Sequence, residues 1–344
     1  MCAAEKSNFP FKKLIPKKGI LMVKRVLSIF IISTMFQLTL AQSTGETITF
    51  QSANPFDFRD VITALEEQEE QEVFGYLTFP ENTKEEKVPL VIGSAGSLGW
   101  SEHHFEYFKM YQKMGLATFE MKSFASRNVE STVGTQVEVT TATMVLDAYR
   151  ALAVLSKDSR IDKDRIALTG WSLGGGVTLF SAWNPVKNII EPDLYFAAHL
   201  AIYPPCFIVP EILDFTEAPM HILIGELDNW TPAKACVDLV DAIQETGTSI
   251  GLTVYPDSHH SFDRSEPPII SDHAYNFTDC RLKMRKDGAV IMNFLNIPMT
   301  SPILQKIGLA FCAERGPTYG GNPLSREKAF KFARTFMTQH LLNN

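Results

Sequence analysis

Ser172 stands inside Gly170-Trp171-Ser172-Leu173-Gly174, a G-x-S-x-G that ends an apolar run over 165–169 and leads through Gly175 and Gly176 into the helix-like run VTLFSAW. A strand that turns abruptly into a helix strains the residue at the turn, and glycines two before and two after it remove the side chains that would collide there. The serine hydroxyl is thereby lifted clear of the strand. The helix that follows aims its free N–H groups and positive dipole end at the same spot, which suits an oxyanion forming on an attacked carbonyl. Taken alone, the motif is matched equally well by a Gly-rich turn with an incidental serine, so a base and an acid must be found.

Both types stand at comparable places further along. After the apolar run MHILIG comes Glu226-Leu227-Asp228-Asn229-Trp230-Thr231-Pro232, which puts Asp228 in a strand-to-helix loop. After LTVYP comes Asp257-Ser258-His259-His260-Ser261-Phe262-Asp263, and either histidine qualifies as a base. An imidazole there would take the proton of Ser172 and return it to a leaving group, while the aspartate fixes the imidazole tautomer. A loop histidine is usually a solvated residue and a loop aspartate a helix cap. All three types after successive strands, in the order Ser, Asp, His, make coincidence a poor account.

The elements that must position these residues alternate. Strand-like runs at 88–92, 115–121, 165–169, 196–203, 220–224 and 249–255 are interleaved with helix-like stretches at 101–114, 140–156, 173–183 and 232–245. Such alternation predicts an α/β fold with a mostly parallel central sheet, right-handed crossovers, and functional groups in loops beyond the carboxyl ends of the strands. A weak edge strand is expected at 46–51, and an acidic surface stretch at 56–72. The runs at 73–79 and 88–92 flank a charged turn and read as a hairpin. Residues 264–324 break the rhythm; they contain a hairpin-like stretch at 280–292 turning at Lys286-Asp287-Gly288, and read as an insertion capping the site before a terminal amphipathic helix at 325–342.

With 344 residues, 45% of them hydrophobic, the chain is long enough for one large core. The first 41 residues carry seven Lys/Arg against one acidic residue, so a chain of net charge −7 leaves −13 on the rest. That acidic body excludes a nucleic-acid footprint and offers little to an anionic membrane. MVKRVLSIFIISTMFQLTLAQ, from Met22, has the basic start, apolar run and small residue at Ala41 of a secretory signal. Residues 1–41 are therefore expected to be an N-terminal extension plus leader, and 42–344 an exported domain, periplasmic or secreted, with no stable membrane association after cleavage. Cysteines 206, 236, 280 and 312 suit two disulfides in an oxidising compartment. Cys206 follows one predicted strand and Cys236 lies in the helix after the next, whereas Cys280 and Cys312 bracket part of the insertion; the expected pairs are 206 with 236 and 280 with 312. No metal-ligand spacing is present, and neither a metal nor an organic cofactor is expected.

Further motifs make the reading specific. Gly75-Tyr76-Leu77, Ser123-Phe124 followed by Arg127, Asp147-Ala148-Tyr149, Arg165-Ile166 ahead of Gly170-Trp171-Ser172, Gly225-Glu226-Leu227-Asp228 and His260-Ser261-Phe262 resemble the dienelactone hydrolase family of α/β-hydrolases, from 74 to 263 and more loosely to the terminus. The resemblance selects His260 over His259 as base and Asp228 over Glu226 as acid. It implies an ester-type acyl hydrolase acting on a small-molecule acyl substrate, with a peptidase of the same architecture, or an inactive binding protein on the same fold, as alternatives. The intact Ser172, Asp228 and His260 count against the last. Where the name-giving enzymes use cysteine this chain has Ser172, so lactone specificity does not carry over. Where relatives often place His-Gly after the first buried strand, this chain has Gly93-Ser94-Ala95-Gly96, and the oxyanion donors are expected to be the backbone N–H groups of Leu173 and Gly96.

Substrate contacts are expected from Trp171 and from Arg127, which follows the 115–121 strand, with Lys122 as a second cation at the mouth. Arg127 would hold an anionic group; the competing reading pairs it with Glu130. His103-His104 falls on the 101–114 helix, where a solvated face is expected rather than a place in the pocket wall. Oligomeric state is not written in the sequence.

Overall fold

The computed structural model describes residues 45–81, 86–292 and 296–343, so the expected extension and leader lie outside the described residues. Residues 44–344 form one unit. In chain order its first elements are β1 (Glu46–Ala53), α1 (Phe58–Ala64), β2 (Glu70–Thr78), β3 (Val88–Ser94), α2 (Glu102–Lys113), β4 (Ala117–Met121), α3 (Thr141–Leu155) and β5 (Ile161–Trp171). Then come α4 (Leu173–Ser181), α5 (Asn184–Ile190), β6 (Ala198–Ile202), β7 (Ile208–Pro210), β8 (Met220–Gly225), α6 (Ala233–Glu245) and β9 (Ile250–Tyr255).

Eight strands form one sheet in the order β1-β2-β4-β3-β5-β6-β8-β9. From β4 to β9 every neighbour is parallel. The central strands β3, β4 and β6 are buried at every residue, as a sheet with helices on both faces demands, and this accounts for their mostly apolar sequences, with Glu120 in β4 and His199 in β6 as buried exceptions. The expected hairpin of β2 with β3 is corrected: β2 pairs antiparallel with β1 and β4, and β4 separates it from β3. A charged turn between two apolar runs does not reveal that the second belongs in the middle of a parallel sheet. The acidic stretch also hides α1, capped by Asp57 and anchored by buried Phe58 and Val61.

Beyond β9 the chain leaves the sheet. The insertion holds β10 (Ile269–Ile270), β11 (Tyr275–Asn276), β12 (Leu282–Met284), β13 (Val290–Ile291), α7 (Pro302–Leu309), β14 (Glu314–Arg315) and β15 (Thr318–Tyr319), and α8 (Pro323–Met337) follows. The expected hairpin is present as β12 and β13, and β12 also pairs parallel with β7, which roots the insertion in the segment after β6. Cys206 is bonded to Cys236 and Cys280 to Cys312, as the sequence led us to expect. Among the described residues no helix is long and apolar enough to cross a membrane.

Candidate active site

The end of β5 sets the geometry. Ser172 adopts φ 57° and ψ −115° between β5 and α4, a conformation that costs a non-glycine residue of order 1–3 kcal/mol. Glycines flank it for steric reasons: a Cβ on Gly170 would lie 2.1 Å from the Gly174 carbonyl oxygen, and one on Gly174 would lie 2.0 Å from that of Ser94. Strand, turn and helix can close this tightly only with hydrogen at those positions.

Ser172 Oγ lies 2.9 Å from Nε2 of His260, whose Nδ1 lies 2.7 Å from Asp228 Oδ2. All three residues are buried. The Asp228 carboxylate is held from behind, because its Oδ1 accepts the backbone N–H of Trp230 at 2.9 Å and of Thr231 at 2.7 Å. Thr231 Oγ1 lies 3.1 Å from Asp228 Oδ2, 3.0 Å from His260 Nδ1 and 3.1 Å from the Tyr203 carbonyl, so one hydroxyl touches both acid and base. The alternatives left by the residues alone fall elsewhere. His259 Nδ1 lies 3.2 Å from the Leu227 carbonyl, and Glu226 accepts the backbone N–H of Asp257 at 3.1 Å.

Leu173 opens α4 immediately after the serine. Gly96 lies on the other side, where a Cβ would come 3.4 Å from Ser172 Cβ and 3.2 Å from the Trp171 carbonyl oxygen. Both backbones therefore lie beside Ser172. The Trp171 indole is fully buried; it stacks on His104 with centroids 4.4 Å apart, lies edge-on to Trp100 at 6.2 Å, and forms part of the wall beside Ser172.

Arg127 is corrected as a substrate contact. Its five N–H groups are committed: Nε donates to Asn54 Oδ1, Nη1 to Asp147 Oδ2 and the Ser123 carbonyl, and Nη2 to Asp147 Oδ1 and the Ala53 carbonyl. The pair is buried on both sides, and the partner is Asp147 of α3 in place of Glu130. Lys122 pairs with Glu120 and lies 5.3 Å from the Tyr76 ring centroid.

His103 and His104 are also corrected: both are buried. His104 Nδ1 accepts the Ser101 backbone N–H at 3.1 Å, closing a capping box at the start of α2; the His104 ring lies on Trp171 and the His103 ring packs against His104 at 4.0 Å. Burial holds His103 well below the usual imidazole range and pushes His104 down to about 3. His103 Nε2 lies 3.2 Å from the Tyr203 hydroxyl, which donates to Asp263 Oδ1 at 2.9 Å. Since that hydroxyl spends its proton on Asp263, it accepts from the Nε2–H of a neutral His103. His103 and Asp263, 3.7 Å apart, are therefore no ion pair despite their proximity. Burial pushes the Asp263 carboxyl up to about 6.

Two cavities meet at Ser172. The larger, a cleft of about 890 Å³ partly open to solvent, runs from Ser172 and Leu173 beneath the insertion. The smaller, about 320 Å³, is bordered by Ser172, His260, His103, Tyr203 and Arg264. Among the described residues no group of three or more His, Cys, Asp or Glu is placed to hold a metal ion. Sequence reasoning missed Thr231, Tyr203, Asp263 and Arg264. Thr231, three residues after the acid, and Asp263 and Arg264, directly after His260-Ser261-Phe262, stood beside recognised motifs; Tyr203 did not.

The family model of the dienelactone hydrolases matches residues 109–284. Among solved structures the chain is similar to a dienelactone-hydrolase-like protein of Klebsiella pneumoniae (19% identity, TM-score 0.46, covering 63% of this chain and 89% of that one). It is similar to esterase 2 of Thermogutta terrifontis in its apo form (17%, 0.45, 56% and 81%) and to Est1E from Butyrivibrio proteoclasticus (18%, 0.41, 55% and 86%). No curated protein matches.

Proposed function

Because the chain belongs to the dienelactone hydrolase family, we propose that it is an exported serine hydrolase that cleaves a carboxylic ester of a small-molecule substrate through an acyl-enzyme on Ser172. The observation that carries this reading is the unbroken line from Asp228 through His260 to Ser172, at 2.7 and 2.9 Å. His260 Nε2 takes the Ser172 proton as Oγ attacks the carbonyl carbon, and the imidazolium that forms is stabilised by Asp228 across Nδ1. The oxyanion accepts hydrogen bonds from the N–H groups of Leu173 and Gly96, the former backed by the N-terminus of α4. Collapse of the tetrahedral intermediate breaks the bond to the leaving oxygen, which receives the proton from His260. Water, deprotonated by the same histidine, then attacks the acyl carbon; the bond from that carbon to Ser172 Oγ breaks, His260 returns the proton to Oγ, and the acid leaves.

Two disulfides support residence in an oxidising compartment, in line with the apolar stretch ahead of Ala41. The reading is tested with a fluorophosphonate probe and a panel of esters. Covalent labelling at Ser172, lost together with turnover in Ser172→Ala, is the expected result; ester turnover that survives Ser172→Ala would refute it.

A further inference from the structure

The two cavities at Ser172 differ in chemistry. The wall of the larger is built from Phe207, Phe277, Leu282, Val290, Met299 and Leu309. Five of these six belong to the insertion. Its one ionisable lining residue among those described is Asp57, the cap of α1, whose Oδ1 accepts the Asp60 backbone N–H at 3.0 Å. An acid carrying its own carboxylate would meet that carboxylate in a largely apolar cleft. The smaller cavity is the more polar of the two: beside Leu98, Trp171 and Trp230 it is bordered by His103, Tyr203, Ser101 and Arg264, and among the described residues the Arg264 guanidinium makes a 3.4 Å contact to Glu266 and lies 5.5 Å from the Tyr319 ring centroid.

Proton bookkeeping decides which end of an ester lies where. In acylation the Ser172 Oγ–C bond forms, the bond from carbon to the leaving oxygen breaks, and the proton taken from Ser172 passes through His260 Nε2 to that oxygen. The leaving oxygen must therefore depart on the side of Ser172 that faces His260. His260 borders the smaller cavity and does not border the larger; of the two oxyanion donors Leu173 borders the larger and Gly96 the smaller, so it is the base that sets the direction. We infer that the cleft beneath the insertion is the acyl pocket, and that the substrate is an ester of a neutral, apolar acid with a small, polar alcohol. This inference rests on the hydrolase reading and adds a direction to it.

The insertion is then the part of the chain that sets acyl specificity. The Cys280–Cys312 bond fixes the segment that carries Leu282, Val290, Met299 and Leu309, and β12 seats that segment against β7. Phe207, stacked on Phe277 at 4.5 Å, follows directly on disulfide-bonded Cys206. Both covalent links hold walls of the same cleft.

The test varies one end of the ester at a time: p-nitrophenyl acetate, butyrate, hexanoate and octanoate for the acid, and ethyl, butyl and hexyl acetate for the alcohol. Burial of four extra methylenes predicts that kcat/KM rises at least about tenfold from acetate to hexanoate, with less than about threefold gain along the alcohol series. Val290→Phe, which narrows the cleft, is expected to lower the octanoate-to-acetate ratio about tenfold; Leu309→Phe, at another lining position, is expected to do the same if the first variant fails to fold. A flat acyl series with a rising alcohol series, or an unchanged ratio in both folded variants, overturns the assignment in an enzyme that still labels at Ser172. A protein that turns over no ester and takes no label defeats the hydrolase reading, and this inference with it.

Discussion

Tyr203 sets the edge of its ring against the imidazole of His260, with centroids 4.7 Å apart, while its hydroxyl donates to the buried carboxyl of Asp263 at 2.9 Å. The same residue accepts the Thr231 hydroxyl on its backbone carbonyl. A single residue directly after β6, held at φ 39°, thus joins the base and a second buried acid through its side chain and the base's hydroxyl neighbour through its backbone. Its ring packs against His260 while its hydroxyl ties that packing to Asp263 and His103.

Asp263 makes the fold sensitive to pH. Its carboxyl stands at about 6 against an ordinary 3.8, burial outweighing the hydrogen bond from Tyr203 and the nearby Arg326. Between those values the folded chain binds a proton that the unfolded chain has released, so this group's penalty grows as pH rises through that window and shrinks as pH falls. Asp263→Asn keeps an acceptor for Tyr203 without a charge. It is expected to be more stable than the parent at pH 7–8 by on the order of 2–3 kcal/mol, the difference disappearing near pH 4. Denaturant unfolding of both proteins across that range checks it; a difference that grows toward acid would assign the wrong sign.

The conformation of Ser172 separates stability from activity. Both Ser172→Ala and Ser172→Gly lack the nucleophile and should be inactive. With φ at 57° an alanine keeps the strain and a glycine relieves it. Ser172→Gly is accordingly expected to unfold above Ser172→Ala by roughly 1 kcal/mol after the entropy a glycine adds to the unfolded chain. Equal Tm values for the two variants would show that the turn is not strained.

Arg127 gives a prediction in stability and none in specificity. Removing its guanidinium leaves the Asp147 carboxylate buried with, among the described residues, only the Ser52 hydroxyl at 2.6 Å as a side-chain partner. Arg127→Met is expected to cost about 3–5 kcal/mol, and adding Asp147→Asn should recover part of that loss, because the cost lies in the stranded charge. The ratio of KM for an anionic ester to that for its neutral analogue should not move. A selective loss on the anionic ester would return Arg127 to the substrate.

What could be read from the sequence was tied to the ends of strands. Ser172, Asp228 and His260 follow β5, β8 and β9, and periodicity locates strands, so their order and loops were legible before any contact was known. The network around them was not. Tyr203 and Asp263 are 60 residues apart, His103 and Tyr203 100 apart, and the packing of α2 over β5 that turns His103 inward leaves no mark on local sequence. Arg127 misled for the same reason. Glu130 is the nearer acid along the chain, while Asp147, 20 residues away, is nearer only once α3 is docked. The two apolar runs at 73–79 and 88–92 read as a hairpin because adjacency in sequence is the commonest route to adjacency in a sheet. The strand that comes between them, β4, is later in the chain.

The disulfides offer a test that divides the molecule. Cys206–Cys236 joins the segment after β6 to α6, spanning 30 residues that include β7 and β8, and Cys280–Cys312 closes 32 residues of the insertion. Each should contribute roughly 2–4 kcal/mol by restricting the unfolded chain, since the loops are of similar length. Their effects on the site should differ. Cys236 lies in α6, one residue beyond Ala235, whose N–H bonds the Pro232 carbonyl at the end of the Asp228 loop, so losing the first bond loosens the turn that orients Asp228. Losing the second loosens only the insertion. Cys206→Ser with Cys236→Ser is therefore expected to lower kcat on every ester, and Cys280→Ser with Cys312→Ser to raise KM with kcat largely kept. Intact-mass analysis of the unreduced parent should find none of these four cysteines alkylated. Four free thiols, or identical kinetic losses in the two double variants, would contradict this division.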